Sequence, residues 1–403
     1  MALILGRRAA PRKSIGFTTR INEPPQELIT YGGDSHLITF APTGAGKTSG
    51  PVITNALTYP GQLIVLDMKG EVYAATAEAR RKMGHSIHVL DLRDGRHTDS
   101  LNPLDLIRRT GTDTAAIARS FAAEMIERTG QERDRFWNDT AESLIAGGVA
   151  WLLADATPEE KRLTALFDLF TSDDPVYSIA VMLDNKRVTE RSARAAFSAF
   201  LQLPERETRP SVLGTVLTHL RYFDSELSRT LTDKTSFDLD ALIAGEPMSL
   251  YIIVPPHRLM AYSPLLRLWL SGIILAITQR TAPPKERTLI LCDEAGNLGK
   301  MEILLTTATL MRSWGLTLWL FFQAVGQLSI YGAQSTTLLD NAGIVQMFGA
   351  KNRRMAQDLA NIIGNVSAEE ILALPKDGQL LLIDGKLTRA RQVRHYSDQL
   401  FQR

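Results

Sequence analysis

Residues 38–50 read ITFAPTGAGKTSG, and their reading decides the rest. The eight residues Ala41-Pro42-Thr43-Gly44-Ala45-Gly46-Lys47-Thr48 fit the phosphate-binding loop G-x-x-x-x-G-K-[ST], with Ala41 where the first Gly is usual. Ala is tolerable there, because the glycines nearer the lysine let the backbone curl. In such a loop successive backbone N–H groups form an anion-binding nest backed by the positive end of a helix. Lys47 is then placed to reach the β- and γ-phosphates of a nucleotide, and the Thr48 hydroxyl to take a position on Mg²⁺. Thr43, Gly44, Ala45, Gly46 and Ser49 complete the expected cradle. Both flanks suit it: HLITF (36–40) reads as a strand, while SGPVITNALTYP (49–60) carries Val52, Ile53, Ala56 and Leu57 at helical spacing up to Pro60-Gly61.

The chain has 403 residues, enough for two folded units or one with a large insertion. Its 44% hydrophobic and 22% charged content is that of a soluble globular protein. A net charge of +1 provides no global basic field, so any DNA contact must come from a local surface. The single cysteine, Cys292, excludes an internal disulfide and suits a reducing compartment; it lies inside an apolar run and reads as packing. No apolar run is expected to span a bilayer, and MALIL, cut off by GRRAAPRK, is too short for a signal peptide. His85 and His88 lack further ligands at metal spacing.

After the loop, QLIVLDMKGEVY reads as a strand ending in an acid, AATAEARRKM as a helix and SIHVLDL as a strand. Such alternation predicts an α/β fold with a mostly parallel sheet. Residues 112–222 carry only helical signals, which predicts an inserted all-α subdomain. Strands return with MSLYIIVPP, RTLILCDEAG, LTLWLFFQ and IVQMFGA, followed by an edge-like pair, GQLLLIDG and RARQVRHY. The long helix SPLLRLWLSGIILAITQR is apolar nearly all round and is expected in a core or against a neighbouring subunit. The expected organisation is an N-terminal extension over 1–30 without a membrane span, a nucleotide-binding domain from 31–111 and 223–403, and the insertion between them.

Two strand ends offer the second acid that a nucleotide hydrolase needs: Asp67 in LIVLDMKGE and Asp293-Glu294 in LILCDEAG. Asp67 to Gly70 also matches the D-x-x-G turn of GTPases, but the N-K-x-D that should accompany it is missing. Asp293-Glu294 is the better pair, with the Asp holding Mg²⁺ through water and the Glu polarising the attacking water.

Taken together, APTGAGKT, VLDMKGE, LNPLDL, RFWNDTAESL, CDEAGNLG and FFQAVGQLSIYG resemble the type IV secretion coupling proteins of the TraG/TraD kind. The similarity runs from about Gly32 to about Tyr396. These are RecA-like P-loop ATPases related more distantly to FtsK and HerA translocases. The resemblance implies a homohexamer that hydrolyses ATP with Mg²⁺ at subunit interfaces. It would pass single- or double-stranded DNA, relaxase-bound nucleoprotein or effector substrates towards components of a type IV secretion channel. By position, Gln323 matches the family's γ-phosphate sensor and Arg312 the arginine that reaches the next subunit's nucleotide; a helix C-terminal cation is the plainer reading of Arg312. Lys69 and Glu71 match a box beside the site. Arg353, Arg354, Arg389, Arg391 and Arg394 could face DNA in a ring's lumen or simply water. Family members usually carry two membrane spans ahead of the ATPase, so this chain reads as a truncation or as a soluble variant. In the second case it is cytoplasmic and meets the inner membrane only through partners. A nucleotide-binding recruitment platform, or a related translocase outside secretion, would share the same site residues.

Overall fold

The continuous apolar runs HLITF, LIVLD, TLILC and LTLWLFF become strands in which every residue is buried, as strands covered on both faces require. The computed structural model describes residues 2–8, 27–111, 113–126 and 135–402. Its strands are β1 (Leu3–Arg8), β2 (Leu28–Tyr31), β3 (His36–Phe40), β4 (Leu63–Asp67), β5 (Ser86–Asp91), β6 (Met248–Ile253), β7 (Thr288–Cys292), β8 (Leu316–Phe322), β9 (Ala342–Met347), β10 (Gly378–Ile383) and β11 (Lys386–Arg391). They form one 11-stranded sheet in the order β2-β1-β11-β10-β9-β3-β8-β7-β4-β6-β5. Strands β9, β3, β8, β7, β4 and β6 pair in parallel, while β10, β11, β1 and β2 add an antiparallel flank. Strand β8 thus separates β3, which feeds the glycine loop, from β7, which ends just before Asp293. The carboxyl ends of these three strands open onto one crevice, the usual ligand position of an open α/β sheet.

The chain divides into two compact units. The first comprises Met1–Ile87, Gly245–Val254 and Ala282–Arg403, and the second His88–Ala244 and Pro255–Thr281. These limits differ from the expected 112–222 insertion, since the second unit also takes in residues 88–111 and the apolar helix Leu259–Ile277. In that unit the helix Phe136–Ala154 packs on Thr114–Met125, Arg191–Leu201 and Thr208–Leu220. Pro256–Ile277 corrects the expectation that no apolar stretch is long enough to cross a bilayer: its mean hydropathy is 1.5 over a sufficient length. It is mostly buried within the protein, and Trp269 Nε1 donates to Leu101 O at 2.8 Å, as suits a core helix.

Three further expectations change. Residues 3–8 are no mere extension; β1 lies between β2 and β11, and the amide of Asn55 exchanges hydrogen bonds of 2.7 and 2.9 Å with the backbone of Ile4. The return strand of the last hairpin begins at Lys386 rather than Arg389, because Asp384 (φ 46°) and Gly385 (φ 77°) form a two-residue turn. That pair is also not at an edge, since β1 and β2 continue the sheet beyond β11. Finally, the helix behind the glycine loop is broken: one turn, Thr48–Val52, kinks at Gly50 (ψ −110°) before Pro51, and regular helix runs only over Ile53–Thr58.

Candidate functional site

The glycine loop curls because Gly44 (φ +82°) and Gly46 (φ +94°) adopt left-handed backbone that other residues resist. Ala45 N–H closes the turn on Pro42 O at 3.0 Å. Among the described residues the N–H groups of Gly44, Gly46 and Lys47 find no acceptor in the protein, so the loop holds donors ready for an anion.

Lys47, largely buried, turns from this loop towards the end of β7. Its ammonium donates to Asp293 O at 2.8 Å, makes an ion pair with Glu294, and lies 3.7 Å from Asp293 Oδ1. The Thr48 hydroxyl donates to the other Asp293 oxygen at 2.8 Å. From the end of β8, Gln323 Nε2 donates to Glu294 Oε2 at 3.0 Å, and its Oε1 accepts from Thr43 Oγ1 at 3.1 Å. The structure therefore brings Thr43, Lys47, Thr48, Asp293, Glu294 and Gln323 together from three adjacent strand ends.

Asp293 Oδ1 is buried and has no hydrogen-bond partner. Burial, with help from Glu294 and Asp67, pushes the carboxyl up to about 6 against the pull of Lys47 and Thr48. A buried carboxylate oxygen without a hydrogen bond, beside a threonine hydroxyl, is a donor set that fits a cation. Among the described residues no cluster of His, Cys, Asp or Glu could hold a metal alone. Mg²⁺ takes one or two protein groups and completes its shell with phosphate and water, so Thr48 and Asp293 are a donor set of the right size.

Asp67, the rival acid, is fully used in another way. Its Oδ1 accepts from Gly70 N at 2.9 Å and Lys69 N at 3.3 Å, and its Oδ2 from Tyr73 N at 2.9 Å. Through Tyr73 N it satisfies the first turn of the helix Glu71–Lys82, whose N-cap is Gly70, and the D-x-x-G turn is structural here. Lys69 and Glu71 pair with each other at 3.7 Å on the surface. Cys292 is fully buried, and burial pushes its thiol up to about 12.

Arg312 is not brought to this crevice. It donates to Asn341 O at 2.8 Å, and its charge bears on His36, the first residue of β3. The length of β8 separates it from Gln323, about 20 Å at strand rise, so it cannot serve the site of its own chain. Two residues escaped the sequence reading. Gln327 Oε1 accepts from Gln323 N at 2.6 Å, and Asn297 Nδ2 donates to Glu294 Oε2 at 3.4 Å. Both lie within quoted motifs, but no spacing rule singles them out.

A parallel sheet with a glycine-lysine loop facing an acidic strand end across one intervening strand defines a P-loop NTPase of RecA-like architecture. Residues 16–370 match the family described as "Type IV secretory system Conjugative DNA transfer", and the chain belongs to it. It is 26% identical over 417 residues to Protein VirD4 of Agrobacterium fabrum (strain C58), covering 93% of this chain and 61% of that protein. It is 24% identical over 359 residues to the conjugal transfer protein TraG of Escherichia coli, covering 84% and 56%. The chain thus spans less than two thirds of either relative. In fold it is similar to the plasmid coupling protein TrwB in complex with the ATP analogue ADPNP, with TM-score 0.69, 17% identity and coverage of 90% and 86%.

Proposed function

We propose that this chain is the Mg²⁺-dependent ATPase motor of a type IV secretion coupling protein, which recruits DNA or relaxase-bound nucleoprotein and drives it to the secretion channel. The observation that carries this reading is the meeting of Lys47 and Thr48 with Asp293 and Glu294. The family match and the nucleotide-bound TrwB fold support it.

Lys47 exchanges Glu294 for the phosphates when nucleotide enters, which frees the Glu294 carboxylate to take a proton from water. Thr48 and Asp293, the latter through water, are the residues that would hold Mg²⁺, which would supply neutralisation of phosphate charge. Gln323 registers the γ-phosphate, a reading supported by its hydrogen bonds to Glu294 and Thr43. Arg312 acts only in trans, which makes hydrolysis depend on a homohexameric ring whose members complete one another's sites. The chain works at the cytoplasmic face of the inner membrane, at the secretion system.

Lys47→Ala should lower ATP hydrolysis by about a hundredfold or more and abolish substrate transfer. Transfer that survives without hydrolysis would make the chain a recruitment platform instead. Mixing Arg312→Ala with Lys47→Ala subunits should restore part of the hydrolysis at hybrid interfaces; no rescue at any ratio removes the trans role.

A further inference from the structure

The segment after β11 does not trail away from the sheet. Gln392 N–H donates to Asp377 O at 2.8 Å, and Val393 O accepts from Thr54 Oγ1 at 3.1 Å. The backbone N–H of His395 donates to Ser49 O at 3.2 Å, and its ring Nδ1–H donates to the same oxygen at 2.9 Å. Asp398 then forms a two-pronged ion pair with Arg7 of β1, at 2.6 and 2.7 Å. Residues 392–398 are therefore fastened both to the turn behind the glycine loop and to the first strand.

Between these anchors stands Arg394. A Cβ added to Gly46 would lie 3.1 Å from Arg394 Nη2 and 3.0 Å from Gln392 Oε1, so the guanidinium rests against Gly46 of the glycine loop. Its partners are neutral: Gln392 Oε1 at 3.2 Å and the Tyr396 hydroxyl at 3.0 Å. Neighbouring arginines have acids, with Arg389 paired to Glu370 and Arg391 to Asp377. Arg394 makes no ion pair among the described residues, although it rests against Gly46 of the glycine loop. A cation held without an acid beside a phosphate-binding loop gains when an anion arrives.

We propose that Arg394 is a nucleotide-binding residue supplied by the C-terminal segment of the same chain, taking oxygens of the α- and β-phosphates of a bound nucleoside polyphosphate at Gly46. This rests on the phosphate-loop reading above, and it removes Arg394 from the arginines that could face DNA. The segment becomes a wall of the site at Gly46, and the hydrogen bonds of Gln392 and Tyr396 hold the guanidinium in place.

The test is calorimetric titration of the full chain with ADP and Mg²⁺. Arg394→Ala and Arg394→Gln should each weaken ADP by at least about tenfold, while Arg394→Lys, which keeps the charge, retains most of the affinity. Arg394→Gln preserves neutral hydrogen bonding within the segment, so it decides the matter if the alanine variant does not fold. ADP affinity within about twofold of wild type in Arg394→Gln overturns the proposal, as does a loss confined to DNA binding. Lys47→Ala in parallel separates the two readings. A loss with Lys47→Ala alone keeps the phosphate loop and discards Arg394, whereas no loss with either discards the nucleotide site itself.

Discussion

Asp67 and Asp293 stand at or just beyond the ends of neighbouring parallel strands, both buried, yet the fold treats them oppositely. Both oxygens of Asp67 are taken by backbone N–H groups of the turn that follows it. One oxygen of Asp293 is shared with Thr48 and the other is left without a hydrogen bond, 3.7 Å from an ammonium. A carboxylate whose valences are filled by its own backbone is part of the scaffold. One that the protein buries and leaves incomplete costs stability in the absence of ligand, and this difference is what supports Asp293 as the proposed functional acid where the two sequence motifs alone compete.

The comparison can be broken most severely at Glu294. Glu294→Gln should reduce ATP hydrolysis by about 10²–10⁴-fold while nucleotide still binds, since the amide keeps hydrogen bonding to Gln323 but cannot accept a proton. Comparable turnover in that variant would move the base elsewhere. Next in size is Asp67→Ala, which strands the N–H groups of Gly70 and Tyr73 and should cost about 1–3 kcal/mol in denaturant unfolding. Its residual folded protein should keep normal nucleotide affinity.

The smallest effect concerns pH. The Asp293 carboxyl is raised to about 6, above its ordinary value, so its ionised form weakens the fold. Stability from this group falls as pH rises from the ordinary carboxylate range to about 6 and is level above that. Asp293→Asn should therefore match or exceed wild type in unfolding midpoint at pH 8, and the advantage should shrink as pH drops below 6. A variant clearly less stable at pH 8 would mean that the Asp293 carboxylate is a structural group like Asp67.

Much of this was legible in residues 36–50 and 288–294. Continuous apolar runs announce buried parallel strands, and two glycines before a lysine announce the left-handed turns that the loop requires. The acids were narrowed to two places, but only hydrogen bonds distinguish a filled carboxylate from an open one. Strand β1 was missed because six residues carry little periodicity and its partner lies across the whole chain, with Arg7 opposite Arg391. For the same reason nothing in QVRHY predicted that its backbone and side chains would close on Ser49 and Gly46. The kink at Gly50 was hidden by a plausible helical spacing that Pro51 interrupts.

The most direct test of the account is the Mg²⁺ dependence of ATP hydrolysis in Asp293→Asn set beside Asp67→Asn. The account predicts that Asp293→Asn needs at least about tenfold more Mg²⁺ or loses turnover, while Asp67→Asn follows the wild-type curve. A normal Mg²⁺ curve for Asp293→Asn together with a displaced one for Asp67→Asn would contradict it.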